Sequence, residues 1–192
     1  MILYLFTIFV CMALITVFNY LFAFGDNTFW TCLTWVVVGT IAQIIIDAVF
    51  ATLVRWVLPS KMFAVDKKRF CASKKESIFY EKIGIKKWKD CVLELGAVTG
   101  FRKNKLKDVN DNKYIERFIV EANYGIAVHM ACIVFGVTVI FVCPKPFWLT
   151  IGVPVTIVNI ILNLLPLFIL RYNLPKLHVL YKYNERRQVA KE

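Results

Sequence analysis

The sequence lacks the short motifs that mark many soluble enzymes and metal sites. Its six cysteines form no CxxC pair and no cysteine–histidine cluster with metal-ligand spacing, which predicts free thiols and no metal. It has no GxSxG nucleophile elbow, so a covalent acyl-enzyme is not expected. Because a DDxxD-like aspartate pair and a phosphate-cradling glycine loop are also missing, prenyl or phosphoryl transfer is disfavoured. We expect no cofactor.

Acidic residues are scarce, and charge of either sign is rare in most of the chain. The 192 residues include 13 Asp and Glu against 24 Lys and Arg, a formal net charge of +11, yet 59% of them are hydrophobic. With a mean hydropathy of +0.62, the chain is too apolar for a soluble domain of this length and indicates an integral membrane protein. No stacking or groove-reading motif accompanies the basic residues, so we do not expect nucleic-acid binding.

Four apolar runs are long enough, or nearly so, for the roughly 20 residues of a membrane-spanning helix. They cover residues 1–24, 29–58, 125–142 and 147–170. The short connections at 25–28 and 143–146 predict two antiparallel helical hairpins. The first run lacks the basic start and small-residue cleavage pattern of a signal peptide, so we interpret it as a retained span.

The distribution of Lys and Arg predicts the orientation. Residues 59–124 hold 16 of the 24 basic residues and residues 171–192 hold six, whereas the two short connections hold only Lys145. By the positive-inside rule, the middle segment and both termini face the cytoplasm. The predicted architecture is therefore all-α, with four spans, a basic cytoplasmic or interfacial segment at 59–124 and a basic tail at 171–192. Anionic lipid headgroups are expected partners of these segments.

Residues 79–96 mix basic residues with large apolar ones. Trp88, Cys91, Val92 and Leu95 recur at helical spacing, which predicts a basic amphipathic helix with Trp88 on its apolar face. Such a helix suits the headgroup layer of a membrane. It could also pack on the cytoplasmic ends of the spans, and the sequence leaves both interpretations open.

Two features predict where the later helices begin and end. Asparagine and aspartate at 110–112 offer capping side chains to a helix that should run unbroken from Lys113 to Val142. Thirty residues rise about 45 Å, so the first turns of this helix should project beyond the hydrocarbon core. Pro175 should push Leu174 out of helical geometry and turn the chain sharply after Arg171.

Polar side chains inside the predicted spans form two stripes, each on one helix face. Members of a stripe are separated by three and then four residues: Thr40, Gln43 and Asp47 on the second span, and Thr156, Asn159 and Asn163 on the fourth. Interhelical hydrogen bonding, at about 0.6 kcal/mol each, is one explanation for the hydroxyls and amides. A functional role is the other explanation. In either case the amides should face protein, because an amide facing lipid would leave its polar groups unpaired.

Ionisable groups inside a span favour function more strongly, because they are costly to bury and can exchange protons. Counted from the cytoplasmic ends, Asp47, His129 and Asn163 all lie about 12–16 Å deep, which predicts a shared polar pocket open to the cytoplasmic leaflet. Glu121 precedes His129 by eight residues, or about 12 Å, so the two would act at different points along one substrate. Arg171 could anchor its helix or grip an anionic head group.

Several stretches together carry a family resemblance. They are LPSKMF (58–63), FYEKIGIKKWKD (79–90), GFRKNKL (100–106), the spacing from Glu121 to His129, and NLLPLFILRYNLPKL (163–177). Over residues 58–177 the chain thus resembles the glycosyl-4,4'-diaponeurosporenoate acyltransferases, bacterial membrane proteins that esterify a fatty acid to the sugar of a glycosylated carotenoid acid. The family pattern ETxRAExxH is matched at Glu121 and His129, whereas Tyr124 and Ile126 replace its Arg and second Glu.

The resemblance implies acyl transfer to a sugar hydroxyl, which needs a base and a site for the carbonyl oxyanion. We assign His129 as the candidate base, with Asp47 orienting it and Glu121 as a third catalytic candidate. The expected substrate-binding residues are Gln43, Trp88, Asn159, Asn163, Arg171, Tyr172, Asn173 and Lys176. Arg171 and Lys176, with Lys86, Lys87 and Lys89, would meet the anionic head of the donor.

The same resemblance implies the partners and the location. The expected acceptor is a membrane lipid or glycolipid, the expected donor is an acyl-CoA or acyl carrier protein, and the expected location is the bacterial cell membrane. An oligomer is left open. The alternative function is a non-enzymatic lipid- or small-molecule-binding membrane protein or a small transporter.

Overall fold

All regular elements in the described part of the chain are helical. The computed structural model describes residues 2–22, 28–92, 106 and 108–189, with side chains from Tyr4 onward. Its α-helices are α1 (Ile2–Phe22), α2 (Phe29–Val57), α3 (Lys74–Lys82), α4 (Ile85–Trp88), α5 (Asn112–Gly136) and α6 (Val153–Val189). Short 3-10 helices lie at Ser60–Phe63, Lys68–Phe70, Lys89–Cys91, Val137–Val142 and Lys145–Phe147, and a π-helical turn at Trp148–Gly152.

Four helical stretches are long and apolar enough to cross a membrane. They are Tyr4–Phe22, Phe29–Val57, Asn112–Val142 and Lys145–Val189. The predicted all-helical chain with four candidate spans is thereby confirmed. The hairpin pairing, the orientation and the segment boundaries stay predictions, and residues 25–27 of the first short connection lie outside the described residues.

The third span begins as predicted but does not stay α-helical. Asp111 caps it, since its Oδ1 accepts a hydrogen bond from the Lys113 N–H at 2.9 Å. The predicted helical run to Val142 is confirmed, but α5 ends at Gly136 and the run continues to Val142 as a 3-10 helix. The reason is local: a glycine followed by four β-branched residues favours α-helix poorly, and the Thr138 hydroxyl donates to the Phe135 carbonyl at 2.7 Å.

The predicted sharp turn at Pro175 is also wrong, because α6 continues through Pro166 and Pro175 to Val189. A proline inside a helix removes one backbone hydrogen bond and crowds a carbonyl, at a cost of about 3 kcal/mol. Buried side chains on both sides of Pro175 offset that cost: Leu174 is fully buried and Leu177 is 7% exposed. Tertiary packing therefore overrides the local rule, and residues predicted as a tail form helix.

The chain divides into two compact units, which are described separately. The first comprises residues 1–53 and 130–164, and the second comprises residues 54–129 and 165–192. The core of the first unit is a cluster of six buried residues: Val36, Val139, Cys143, Phe147, Ile151 and Val155. Asn19 on α1 adds a polar contact, donating from Nδ2 to the Thr150 carbonyl at 2.7 Å.

The second unit packs the basic segment against α6. A capping box between Ser73 and Glu76 starts α3, and Gly84, with a φ of 70°, turns the chain into α4. The core cluster consists of Tyr80, Ile85, Ile169 and Tyr172, with Trp88 and Val92 among the partly buried residues packed on it.

The described part of residues 79–96 is packed on protein. Trp88 and Val92 lie against the cluster of Tyr80, Ile85, Ile169 and Tyr172, so protein covers part of the predicted apolar face, and a position in the headgroup layer stays a prediction. The single helix predicted from Trp88 onward is wrong as far as the chain is described, since α4 ends at Trp88 and Val92 is extended after a 3-10 turn. Trp88 and Val92 both pack on the cluster although no continuous helix joins them, so tertiary packing does not require one. Leu95 and most of the GFRKNKL stretch lie outside the described residues.

Candidate functional site

The first unit holds a carboxylate that accepts hydrogen bonds from two amides. Gln43 Nε2 donates to Asp47 Oδ1 at 3.0 Å, and Asn163 Nδ2 donates to Asp47 Oδ2 at 3.2 Å. Asn163 Nδ2 also lies 2.8 Å from Asn159 Oδ1. The polar stripes predicted on the second and fourth spans therefore meet at Asp47. We call Gln43, Asp47, Asn159 and Asn163 the amide cluster.

The amide cluster is closed on one side by the backbone of α5. Asn159 Nδ2 donates to the Cys132 carbonyl at 3.2 Å, and one turn later Gly136 packs directly on the amides. A Cβ atom on Gly136 would overlap the Asn159 amide nitrogen and lie 2.8 Å from Gln43 Nε2. Only glycine lets α5 approach this closely.

Most of the polar groups in the stripes are satisfied within the protein. The Thr156 hydroxyl donates to the Gly152 carbonyl at 2.9 Å, and the Thr40 hydroxyl donates to the Val36 carbonyl at 2.8 Å. Both hydroxyls therefore bond to the carbonyl four residues earlier in their own helical stretch, and interhelical hydrogen bonding accounts in part for Asn159, which donates to α5. Gln43 differs, because its Oε1 is buried and has no hydrogen-bond partner among the described residues. A buried acceptor without a donor costs about 1–3 kcal/mol, which is typical of a site that receives one.

A cavity adjoins the amide cluster within the first unit. It encloses about 450 Å³ of atom-free space, counted with its open mouth. Its polar end consists of Thr40, Gln43, Asp47 and Asn159, and its walls are mostly apolar residues of α1, α2 and α6. An apolar pocket with a few convergent polar groups is the usual form of a ligand site.

His129 and Glu121 lie in the second unit on α5, where His129 is half-buried. Glu121 is paired with Arg55, whose Nη2 lies 2.9 Å from Glu121 Oε2 and whose guanidinium lies over the Tyr124 ring. Asp47 belongs to the other unit, so the predicted pairing of Asp47 with His129 stays a prediction. Of the three residues predicted to share a pocket, the structure brings Asp47 and Asn163 together.

The two departures from the family pattern have packing roles. Tyr124 stacks on Phe63 with ring centroids 3.9 Å apart, and the Phe63 carbonyl accepts a hydrogen bond from Asn123 Nδ2 at 2.9 Å. Ile126 is fully buried. Tyr124 and Asn123 thus hold the LPSKMF segment (58–63) against α5.

Arg171 is engaged by a carboxylate of its own unit. Its Nη2 and Nε lie 2.8 and 3.0 Å from the two oxygens of Glu76, and the Tyr80 hydroxyl donates to Glu76 at 3.1 Å. Hydrogen bonding from Arg171 lowers the pKa of the Glu76 carboxyl to about 2. Of the two roles left open for Arg171, this favours anchoring α6 to α3 over gripping a head group.

The other predicted head-group residues gather around Tyr172. Its hydroxyl donates to Glu81 Oε1 at 3.0 Å, Lys176 Nζ lies 3.6 Å from its ring centroid, and Lys86 Nζ pairs with Glu81 at 2.9 Å. The Trp88 Nε1 donates a hydrogen bond to the Ile83 carbonyl at 3.1 Å. Asn173 is half-buried on the same helix, and its predicted role stays a prediction.

Sequence reasoning missed several buried polar residues, among them His178 and Asn19. His178 is 7% exposed, and its Nε2 has no partner among the described residues; it was overlooked because Pro175 predicted that the helix had ended. Asn19 is fully buried on α1, and a lone amide in an apolar run was a signal that could have identified it.

Fold and site together define an all-helical protein of membrane-spanning composition with a buried cluster of amides around one carboxylate. Among the described residues, no group of three or more His, Cys, Asp or Glu side chains could hold a metal ion. The family model for glycosyl-4,4'-diaponeurosporenoate acyltransferase matches residues 59–183, nearly two thirds of the chain, and the protein belongs to this family. No curated protein and no solved structure matches it. The resemblance predicted from the motifs is confirmed, and the family name indicates an acyltransferase.

Proposed function

We propose that the protein is a membrane acyltransferase that moves a fatty acyl group from a thioester to a hydroxyl of a lipid-linked sugar at the cytoplasmic leaflet. Family membership carries the proposal, since the matched range includes Glu121, His129 and the helix with Arg171. The sugar oxygen bonds to the acyl carbonyl carbon while the carbon–sulfur bond breaks. A base takes the hydroxyl proton, and the departing thiolate receives a proton in turn.

His129 is the proposed base. A neutral imidazole can accept a proton near neutral pH, and His129 is half-buried on α5, within a helical stretch long and apolar enough to span a membrane. Glu121 already pairs with Arg55, so we propose that it is a positioning residue that holds α5 rather than a second base.

The amides of Asn159 and Asn163 are proposed to support the acceptor side of the reaction. Asn159 donates to the Cys132 carbonyl and Asn163 donates to Asp47, so these N–H groups are less suited to stabilising an oxyanion. Their proposed task is to hold the Asp47 carboxylate in one orientation.

The basic residues around Tyr172 are proposed to meet the donor. Lys176 and Lys86 flank its ring and hydroxyl, and Lys87 is exposed beside them. An acyl-CoA or acyl carrier protein presents negative charge next to its thioester, and clustered lysines on the cytoplasmic side would attract it.

The test is to feed a labelled fatty acid to cells with and without the protein and to analyse their membrane lipids by mass spectrometry. We expect a labelled glycolipid ester that depends on the intact protein. His129→Ala and His129→Gln should lower its formation about 100-fold or more at unchanged protein level, the usual contribution of a general base. Near-normal turnover in either variant would exclude His129 as the base.

The cavity beside Gln43 also favours a second candidate, a lipid-binding protein without enzymatic activity. The same cells distinguish the two functions. A binding protein would co-purify with a stoichiometric lipid and leave the labelled lipid profile unchanged.

A further inference from the structure

We propose that the cavity of the first unit binds the acceptor, an uncharged long-chain lipid whose hydroxylated head donates hydrogen bonds to Gln43 and Asp47. The apolar chain of this lipid would lie between α1, α2 and α6. That the bound lipid is an acyl acceptor rests on the proposed function, whereas the binding itself does not.

The polar end of the cavity has hydrogen-bond acceptors that a ligand with a hydrogen-bond donor would satisfy. The Gln43 side chain is buried with 6% exposure, its Nε2 is used by Asp47, and its Oε1 is without a partner among the described residues. Asn159 Nδ2 is used by the Cys132 carbonyl. What remains at this end is acceptor capacity on Gln43 and on the carboxylate, and a hydroxyl group supplies the matching donor.

The residues that line the cavity favour a lipid with an uncharged head group. None of the thirteen described residues that line the cavity is Lys, Arg or His, and Asp47 would repel a phosphate or carboxylate. A quaternary ammonium is typically held by several aromatic faces, and Tyr4 is the single aromatic residue among those lining residues. A sugar or polyol therefore fits better than a charged head.

The walls and the mouth suit a lipid that arrives from the side. The 450 Å³ of the cavity includes its open mouth, so the enclosed part takes the head of a lipid while most of the chain lies along the outer face of the helices. Ile44 lines the cavity and is also 56% exposed, so the mouth lies on the outer face of α2. On a spanning helix that face meets lipid.

The position of the lining residues along the chain assigns acceptor choice to the N-terminal helices. Nine of the thirteen lining residues lie on α1 and α2, before residue 59, where the family match begins. The range shared with the family would supply the chemistry, while this part of the chain would select the acceptor.

Photolabelling tests the proposal with the full-length protein in phosphatidylcholine nanodiscs. The probe is a long-chain alkyl glucoside with a diazirine in its chain, and no acyl donor is present. Unlabelled competitors are the same glucoside, its fully O-methylated form, which cannot donate hydrogen bonds, and an alkyl trimethylammonium of equal length. We expect labelling of α1 and α2 peptides that only the free glucoside suppresses.

Adjacent isoleucines supply a matched pair of variants. Ile44 lines the cavity and Ile45 does not, although they are 56% and 57% exposed. Ile44→Trp should close the mouth and weaken probe binding at least 10-fold, whereas Ile45→Trp should bind like the unaltered protein. Gln43→Leu should also weaken binding about 10-fold, since it removes an acceptor at similar volume.

The proposal is overturned if both tryptophan variants bind alike, if the O-methylated competitor matches the glucoside, or if the ammonium competes best. The proposed function fails separately. Binding as expected without any ester formation in the labelled cells would refute the enzyme and keep the site. Ester formation with the same acceptor KM in the Ile44→Trp and Ile45→Trp variants would refute the site and keep the enzyme.

Discussion

Replacing Gly136 with alanine is the sharpest test of the amide cluster. The added methyl group would overlap the Asn159 amide and lie 2.8 Å from Gln43 Nε2. Both side chains are buried, at 5% and 6% exposure, so neither can swing into open space. At least one of two bonds must break, either Asn159 to the Cys132 carbonyl or Gln43 to Asp47.

The expected loss can be worked from these contacts. Overpacking costs about 1–3 kcal/mol, and each broken hydrogen bond adds about 0.6–1 kcal/mol. The higher helix propensity of alanine stabilises the folded state by about 1 kcal/mol and offsets part of this loss. The free energy of unfolding should therefore fall by about 1–3 kcal/mol, and lipid binding at the cavity should weaken with it.

Gly39 provides the matched control, because it is also a buried helical glycine of the first unit. A Cβ atom there would lie 3.6 Å from Cys143 Sγ and 3.9 Å from Val155 Cγ2, which are ordinary contacts. Gly39→Ala should be as stable as the unaltered protein or slightly more so. Unfolding of both variants in one detergent, followed by tryptophan fluorescence, gives the comparison. Equal stability of the two variants would show that the amides are not packed on α5 as described.

Three further results are expected. Because the pKa of Glu76 falls from its usual 4.5 to about 2 on folding, the ion pair with Arg171 stabilises the protein above pH 4.5 and is lost as pH falls towards 2. With the side chain about a third exposed the effect is about 1–2 kcal/mol, and Glu76→Gln should remove it from the pH dependence of unfolding. Glu121→Gln and Arg55→Gln should each destabilise by less than about 1 kcal/mol and non-additively, and additive losses would contradict a direct ion pair. In ester formation, Glu121→Gln should lose far less turnover than His129→Ala, and an equal loss would make Glu121 catalytic rather than positioning.

Predictions from spacing within one helix succeeded where the partner lay on the same face. A separation of four residues placed Gln43 beside Asp47 and Asn159 beside Asn163, and the structure has both contacts. Hydropathy likewise identified four helices of spanning length, since apolar composition is a local property.

Predictions failed where packing opposed a local rule. Pro175 should end a helix, yet buried Leu174 and Leu177 hold α6 together across it. Arg171 was assigned equally to a ligand and to an anchor because its partner Glu76 lies 95 residues earlier. A pair at that separation leaves no periodic signal in either segment.

The amino-acid sequence by itself determined the class of the protein, its apolar helices, the candidates Asp47 and His129, and the family. These follow from composition, helical period and motifs, which neighbouring residues carry. Tertiary structure decided that Asn163 meets Asp47 across 116 residues, that Gly136 admits the amides, and that Gln43 is left with an unused acceptor beside a cavity. The physical reason is that a hydrogen bond or a steric contact depends on atoms a few ångströms apart in space, and only folding brings those atoms together.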